Sequence, residues 1–292
     1  MYKLVCIDLD GTLLNSYGQV SNKNKESIKK LINKNVEVVI ASGRPINSAS
    51  SIAKEIESDK YVICGNGSVL YDLQKKAIVY DKCIEKKKVL QIIKECEENS
   101  IYYNVYTENL TITKSLNYNT LVYNYENQNK TEDQKTNIKI VDDIYSYIEN
   151  SENINVLKIT ICDDNEIIFG GIIRKLRQIK GIDVLDVAHM SRKRIKRGTE
   201  EIAIEYYYTE ITSQNVNKWN AIKELSNILG IKDEEIVAIG DNINDKEMIE
   251  KAGLGMIMGN SAPYMKEFAD VVVNDNNNDG VSDAIENYIL KE

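Results

Sequence analysis

Histidine is almost absent from this chain, since His189 is the only one among 292 residues. Hydrolytic mechanisms that require two histidines are therefore excluded, and we interpret His189 as a residue without a chemical role. The five cysteines include no Cys-x-x-Cys pair, and none has an arginine at the spacing of a Cys-x5-Arg active-site loop. An odd number of unpaired cysteines indicates reduced thiols that serve packing and predicts a cytoplasmic protein.

Further absences narrow the possible functions. No Gly-Lys pair occurs, which excludes a Walker phosphate-binding loop. The apolar stretches are too short to cross a bilayer, and Asp8 and Asp10 interrupt the N-terminal one, so we expect neither a membrane partner nor a signal peptide. The net charge of −8 argues against nucleic acid as a partner, because such a partner selects a basic face.

Strands and helices alternate at both ends of the chain. Apolar runs predict buried strands, and apolar residues at helical spacing predict helices, the first of them capped by Ser21. At the N-terminal end the predicted strands span 2–7, 36–42 and 61–64, and the helices span 21–35 and 46–56. At the C-terminal end the predicted strands span 235–240, 254–258 and 270–273, and the helices span 218–229, 244–252, 262–269 and 280–290. This alternation predicts an α/β fold with a doubly wound, Rossmann-like parallel sheet.

Four polar residues stand just after predicted strands, namely Asp8, Ser42, Asn66 and Asp241. Doubly wound sheets bind ligands beyond the carboxyl ends of their strands, so we expect these residues to converge on one crevice. A calcium-binding loop is an alternative for the stretch from Asp8. Such a loop requires glycine at its sixth position and glutamate at its twelfth, where this chain has leucine and glutamine, so we exclude it.

The middle of the chain has a different pattern. Its predicted strands span 101–106, 154–162, 182–190 and 201–212, and its predicted helices span 85–98 and 164–180. The strands alternate apolar and polar residues, as half-solvated antiparallel strands do. We predict a loop over the polar segment 124–137. The whole pattern predicts a second domain, residues 83–209, inserted into a core made of residues 1–82 and 210–292.

Four short motifs occur in a fixed order at the predicted strand–helix junctions. They are "DLDGT" (8–12), "ASGRP" (41–45), Lys218 and "GDNINDKEM" (240–248). This ordered set resembles the haloacid dehalogenase superfamily of phosphohydrolases. The segments "GNG" (65–67), "AGLGMIMGNS" (252–261) and "NDGV" (278–281) resemble its Cof-type branch, subfamily IIB, which carries an inserted α/β cap.

The resemblance implies a Mg²⁺-dependent phosphatase that hydrolyses small phosphorylated metabolites, such as sugar phosphates or phosphorylated cofactors, through an aspartyl phosphate. It makes Asp8 the nucleophile and Asp10 the general acid and then the general base. The residues implied to hold the substrate and its phosphoryl group are Gly11, Thr12, Ser42, Gly43, Arg44, Asn66 and Lys218, of which Ser42 and Lys218 are also catalytic. The residues implied to hold Mg²⁺ are Asp8, Asp10 through its backbone carbonyl, Asp241, and, by orienting waters or the lysine, Asn244 and Asp245.

Two other functions remain open at this point. A phosphomutase would use the same aspartyl phosphate but return the group to a sugar. A non-enzymatic phosphoacceptor that resembles a response-regulator receiver would also combine an α/β fold with an acidic cluster, a hydroxyl residue and a lysine. A receiver's acceptor aspartate follows a later strand, however, and a receiver carries no large cap. We expect a monomer or a weak homodimer.

The chain departs from the family pattern at three places. Trp219 stands where glycine is usual, Ser261 stands where alanine is usual, and "RKRIKRG" (192–198) is extra length. We expect Trp219 to narrow the space for substrate. We interpret the basic run 192–197 as a solvated loop, with attraction of an anionic substrate as the alternative. All catalytic positions are intact.

Overall fold

The computed structural model describes residues 1–129, 131–132, 135–185, 189–197 and 200–291. Its strands, numbered β1 to β15 along the chain, are Leu4–Ile7, Glu37–Ala41, Tyr61–Cys64, Val69–Asp72, Ala77–Asp81, Tyr102–Tyr106, Thr111–Thr113, Ile138–Ile140, Lys158–Asp163, Ile182–Val184, His189–Arg197, Glu200–Ser213, Ile236–Gly240, Leu254–Ile257 and Val271–Val272. Its α-helices, numbered α1 to α9, are Asn22–Asn33, Ile46–Glu55, Lys86–Glu98, Tyr118–Glu126, Ile144–Asn150, Glu166–Leu176, Lys218–Leu229, Lys246–Lys251 and Gly280–Ala284. The chain forms two compact units, one made of Met1–Asp81 with Val216–Glu292 and one made of Lys82–Asn215.

The sheet of the first unit has the strand order β15-β14-β13-β1-β2-β3-β4-β5. Its strands from β15 to β3 are parallel. Every residue of β1 and β13 is buried, as expected when helices cover both faces of a parallel sheet. The predicted α/β fold is confirmed. The antiparallel hairpin of β4 and β5 extends one edge and was not predicted, because β5 has no buried face that would mark it in the sequence.

Local side chains set where two helices of the first unit begin. The hydroxyl of Ser21 accepts a hydrogen bond from the backbone N–H of Asn24 at 3.2 Å, so the predicted cap of α1 is confirmed. The side chain of Asn217 accepts the backbone N–H of Asn220 at 2.8 Å and caps α7, whose first residue is Lys218. The helix predicted over 218–229 is therefore confirmed, and its cap places Lys218 in the first turn.

Three helices predicted near the C-terminal end differ from the structure. The segment 244–252 begins with a 3-10 turn and becomes α8 only at Lys246. The segment 262–269 forms a 3-10 helix, and the segment 280–290 begins as α9 and continues as a π-helical turn. In the first segment the side chain of Asp245 accepts hydrogen bonds from two preceding backbone N–H groups, and this turn delays the start of the α-helix.

The second unit is built on a sheet with the strand order β10-β12-β9-β6-β7-β8, and β11 pairs with β12. The pairing of β7 with β8 is parallel, and the other pairs are antiparallel. Helices α3, α5 and α6 pack against one face. The apolar strand residues of that face are Tyr103, Val105, Ile112, Ile159, Ile161 and Ile211. Helix α4 lies on the other face, where the side chain of Asn119 accepts from Asn104 and donates to Tyr106.

Several predictions for the second unit are wrong. The basic run 192–197, interpreted as a solvated loop, belongs to β11, and residue 198 lies outside the described residues. Antiparallel pairing along the length of β12 outweighs the weak strand preference of lysine and arginine. The segment 182–190, predicted as one strand, contains all of β10 and the start of β11, with residues 186–188 outside the described part. The loop predicted from residue 124 begins with the last turn of α4.

The second unit extends beyond the predicted insert 83–209. Strand β12 continues to pair with β9 as far as Thr212 and with β10 as far as Ser213, which keeps the chain in this unit up to Asn215. Within the described parts of the chain, no helix has the length and apolar character that a membrane span requires.

Candidate active site

The ends of four neighbouring strands bring the first group of predicted site residues together. Asp8 follows β1, Ser42 follows β2 and Asp241 follows β13, while Asn66 lies in the turn after β3. The backbone N–H of Asp8 donates to the end of β13 at 2.9 Å, and that of Ser42 donates to β3 at 2.9 Å. The N–H of Asn66 donates to the carbonyl of Ser42 at 3.0 Å. All four residues therefore lie at one edge of the sheet, where ligands of such sheets bind.

Lys218 is the positive centre of the site. Its side chain is fully buried, and its Nζ lies 2.5 Å from Oδ1 of Asp8 and 2.5 Å from Oδ1 of Asp245. Burial by itself lowers the pKa of Lys218, but the carboxylates of Asp245 and Asp8 outweigh that effect and raise this pKa above its ordinary value. The lysine is therefore charged at neutral pH, and it sets the position of the Asp8 carboxylate.

The carboxylates of Asp8, Asp241 and Asp245 are crowded. Each offers an oxygen within 4.8 Å of the others. Burial, followed by the charge of Asp245, raises the pKa of Asp8 well above its ordinary value and that of Asp241 to about 7. One lysine does not balance this negative charge. Hard oxygen donors in excess of their counter-charge fit a divalent cation such as Mg²⁺.

The three carboxylates are not equivalent. Asp245 uses Oδ1 to accept from Lys218 and Oδ2 to accept the backbone N–H groups of Asp241 and Asn242, at 3.0 and 3.1 Å. Both of its oxygens are thus engaged, so it orients the lysine and the turn that carries Asp241. This leaves the carboxylates of Asp8 and Asp241 as the more suitable direct ligands of a cation.

Gly11 and Thr12 support Asp241 from the neighbouring loop. The hydroxyl of Thr12 donates to Oδ1 of Asp241 at 3.1 Å. Gly11 has φ +87°, and a Cβ at this position would overlap the Asp241 carboxylate. Only glycine combines this left-handed backbone with so close an approach.

Asp10 pairs with Arg44 and is not one of the three clustered carboxylates, although its charge contributes to the raised pKa of Asp241. The guanidinium of Arg44 donates from Nε to Oδ2 at 2.8 Å and from Nη2 to Oδ1 at 2.6 Å. The side chain of Asp10 is 63% exposed. A two-bond fork of this kind holds a carboxylate in one orientation, so the carboxylate of Asp10 is accessible but positioned. This pairing was not predicted.

A second polar group surrounds Ser42, which is buried. Its Oγ accepts the backbone N–H of Arg44 at 3.2 Å. The side chain of Asn244 donates to Oδ1 of Asn66 at 3.1 Å, and a Cβ on Gly43 would lie 2.8 Å from that same oxygen. The structure thus connects Asn244 with the Ser42–Asn66 turn through Asn66.

Two further residues have roles in the structure that differ from the sequence predictions. Asn217 was missed, although an asparagine directly before a helical pattern is a capping signal, and it places Lys218 at the start of α7. Trp219 is only 6% exposed and packs into the apolar core of the first unit. Its position argues against the expectation that it narrows the space for substrate.

The sequence profile of a family described as haloacid dehalogenase-like hydrolase matches residues 5–285. The chain belongs to this family. Phosphatase YwpJ of Bacillus subtilis is 29% identical to it over 288 residues, which cover 96% of this chain and 97% of the relative. The 5-amino-6-(5-phospho-D-ribitylamino)uracil phosphatase YcsE of the same organism is 26% identical, with 99% and 96% of the two chains covered. A solved haloacid dehalogenase-like hydrolase from B. subtilis is 26% identical, with a TM-score of 0.80 and 98% and 100% coverage.

Membership of the haloacid dehalogenase-like family confirms three predictions. The family suggested by the ordered motifs is correct, the α/β fold with a second sheet-containing unit matches the solved relative, and the enzyme class is that of a phosphatase of this family. The phosphoacceptor alternative, a protein without turnover, is thereby excluded.

Proposed function

We propose that this chain hydrolyses small phosphate monoesters through an aspartyl phosphate on Asp8. The observation that carries the proposal is the contact of Asp8 with Lys218 at the end of β1, beside the carboxylates of Asp241 and Asp245. Lys218 engages Oδ1 of Asp8, so we assign attack on phosphorus to Oδ2. The lysine also offers positive charge where negative charge gathers on the phosphoryl oxygens in the transition state.

Each bond change has a group on this chain to assist it. As Asp8 attacks, the ester P–O bond breaks, and Asp10 supplies the proton that the leaving oxygen takes. Asp10 then removes a proton from the water that attacks phosphorus, and the bond from phosphorus to Asp8 breaks. Because Arg44 occupies both oxygens of Asp10, proton donation requires one of them to be released. We assign the released Arg44 guanidinium, together with the Ser42 hydroxyl, to the phosphoryl oxygens of the substrate.

The metal that the family implies fits the residues present. Asp8 and Asp241 would supply carboxylate oxygens, and Asp10 would supply its backbone carbonyl, while Asn244 and Asp245 would orient waters or the lysine. When bound, Mg²⁺ supplies positive charge that offsets the crowded carboxylates and the phosphoryl group. Thr12 and Gly11 hold and make room for Asp241, as their contacts indicate.

We assign selection of the substrate to the second unit, as an inserted cap. The strand residues on its face opposite the apolar core are polar or aromatic. Helix α4 covers part of this face, and Tyr102, Tyr208 and Glu210 on it remain partly exposed. Such a face suits a hydroxylated leaving group better than an apolar one. The relative YcsE is named for a phosphorylated ribityl-aminouracil. We therefore propose a sugar phosphate or a phosphorylated cofactor or precursor as the substrate.

A panel of phosphorylated metabolites, assayed for phosphate release with purified protein and Mg²⁺, tests the proposal. We expect turnover of at least one small sugar phosphate or phosphorylated cofactor by the wild type and none by Asp8→Asn. Chromatography of the products decides between hydrolysis and the phosphomutase alternative. Isomerised sugar phosphate without free phosphate would contradict hydrolysis, and preference for a phosphoprotein would contradict the substrate class.

A further inference from the structure

An asparagine-rich segment near the C-terminal end, residues 274–279, contacts the loop that carries Asp8 and Asp10. The side chain of Asn276 donates from Nδ2 to the backbone carbonyl of Leu14 at 2.8 Å, and its own N–H donates to Oδ1 of Asn260 at 3.1 Å. The side chain of Asn260 donates from Nδ2 to the backbone carbonyl of Gly11 at 2.9 Å. We call Asn260 and Asn276 the asparagine clasp.

The clasp has a defined orientation. Oδ1 of Asn260 faces an N–H donor, and its Nδ2 faces a carbonyl acceptor. If the amide were turned by half a rotation, it would place donor against donor and acceptor against acceptor. Asn276 therefore sets the orientation in which Asn260 holds Gly11, and its own side chain holds the same loop again at Leu14.

The segment behind the clasp is itself well held. The carboxylate of Asp275 accepts the backbone N–H groups of Asn277 and Asn278, both at 2.9 Å. The side chain of Asn277 accepts the backbone N–H of Ser16 at 3.0 Å, and the N–H of Asn274 donates to Asp283 at 3.0 Å. The clasp thus connects the nucleophile loop to a segment fixed at several points.

The nucleophile loop needs such support at Gly11. Glycine has the least restricted backbone, and Gly11 directly follows Asp10. Burial does not hold the Asp10 side chain, which is largely exposed. Fixing the Gly11 carbonyl restricts the backbone that determines where the Asp10 carboxyl group can reach.

We propose that the asparagine clasp positions Asp10 for proton transfer to the leaving group. This inference rests on the proposed phosphatase function, in which Asp10 is the general acid. Asn260 and Asn276 are positioning residues, since they act on Asp10 through the loop backbone. Loss of the clasp should therefore matter most when the leaving group depends on a proton.

The test compares two aryl phosphates of similar size on wild type, Asn260→Ala and Asn276→Ala. 4-Nitrophenyl phosphate has a leaving group that departs readily without a proton, whereas phenyl phosphate has a more basic one. General acid catalysis contributes on the order of 10²–10⁴ in rate, and misplacement removes part of it. We expect kcat/KM to fall about tenfold or more on phenyl phosphate and less than about threefold on 4-nitrophenyl phosphate.

Asn150→Ala is the matched control, because it removes an exposed amide that donates to a backbone carbonyl at 2.8 Å in the second unit. It should leave the ratio of the two kcat/KM values unchanged. Asn260→Gln keeps the amide, so its ratio of kcat/KM on phenyl phosphate to kcat/KM on 4-nitrophenyl phosphate should lie closer to the wild-type ratio than that of Asn260→Ala. Equal losses on both substrates, or no loss in either clasp variant, would overturn the clasp as a positioning device. A wild type inactive on every phosphate monoester would overturn the proposed function itself, and this inference with it.

Discussion

The two sheets of this enzyme use their faces differently. In the first unit β1 is apolar along its whole length and buried on both faces, so that the first polar side chain, that of Asp8, stands where the strand ends. In the second unit β9 alternates, with Ile159 and Ile161 toward the helices and Lys158 and Thr160 toward the opposite face. The first arrangement gathers a few charged groups at one point, whereas the second spreads hydrogen-bonding groups over a surface. We infer that the first suits chemistry common to all substrates, and that the second suits discrimination among them.

We expect the largest loss of activity from a substitution at the end of β1. Asp8→Asn removes the proposed nucleophile, and we expect kcat to fall at least about 1,000-fold on every substrate, as measured by phosphate release. Asp59→Asn, an exposed change in the same unit, should keep full activity. Because burial holds the pKa of Asp8 above its ordinary value, the charged group costs folding free energy near neutral pH. The unfolding midpoint of Asp8→Asn should therefore equal or exceed that of the wild type. Substantial residual turnover would remove Asp8 from its role.

Metal removal should also act on all substrates alike. We expect a chelator to lower activity at least about 100-fold and added Mg²⁺ to restore it, because the clustered carboxylates need a divalent counter-charge. Ca²⁺ should substitute poorly, since it takes more oxygen ligands at longer distances. A readout independent of activity is the unfolding midpoint, which Mg²⁺ should raise in the wild type and less in Asp241→Asn. Full activity in excess chelator would contradict the metal assignment.

Gly11→Ala should have the next largest effect. The added Cβ would overlap the Asp241 carboxylate, and we expect kcat to fall about tenfold or more. Gly18→Ala is a matched control, because Gly18 also has a positive φ, of +72°, but nothing lies within 4 Å of its Cβ position. Both variants carry the cost of a left-handed alanine, of roughly 1 kcal/mol. An equal loss of activity in the two would mean that the close approach to Asp241 is unimportant.

We expect the smallest effect from a pair of substitutions that compares the two faces of the sheet in the second unit. Tyr208→Phe and Tyr207→Phe are identical changes at adjacent positions of β12. Tyr207 packs against Phe169 on the helical side, whereas Tyr208 contacts Tyr206 on the polar side. We expect Tyr208→Phe to change relative kcat/KM values among metabolites by about three- to tenfold, at the level of one hydrogen bond. It should leave 4-nitrophenyl phosphate turnover nearly unchanged. Tyr207→Phe should change neither the relative kcat/KM values nor 4-nitrophenyl phosphate turnover. If Tyr207→Phe changed the relative values and Tyr208→Phe did not, substrate selection would be assigned to the helical face instead.

The parts of the site that could be predicted from the sequence are those whose positions follow from strong strand and helix patterns. Asp8, Ser42 and Asp241 directly follow strands with strong apolar patterns, so their meeting could be anticipated, whereas Lys218 was assigned to the site only through the resemblance to the family. The pairing of Asp10 with Arg44 could not, because nothing in either segment specifies which way an exposed side chain turns. The full engagement of Asp245 was hidden for the same reason, since it depends on the turn that the residue itself creates.

The second unit was harder to predict because tertiary pairing decides its elements. Strand β11 is dense in lysine and arginine and would not be chosen as a strand by preference alone. It forms because β12 lies alongside it in antiparallel register. Helix α4 was missed because it is polar and rich in tyrosine and asparagine, so no apolar stripe marks it. It covers the polar face through the hydrogen bonds of Asn119 and through ring contacts of Tyr118 with Tyr102 and Tyr206.

The central strand β1 pairs with β2 on one side and with β13 on the other, and Leu4 lies opposite both Glu37 and Ile236. During synthesis from the N-terminus, β1 must therefore wait for more than 200 further residues before its second neighbour exists. The unit Lys82–Asn215 is contiguous and is complete before β13 emerges. We expect it to fold first on the ribosome, while the nascent first unit exposes one edge of β1 to chaperones. Asp8 would thus gain its contact with Lys218 only after the whole second unit has been made.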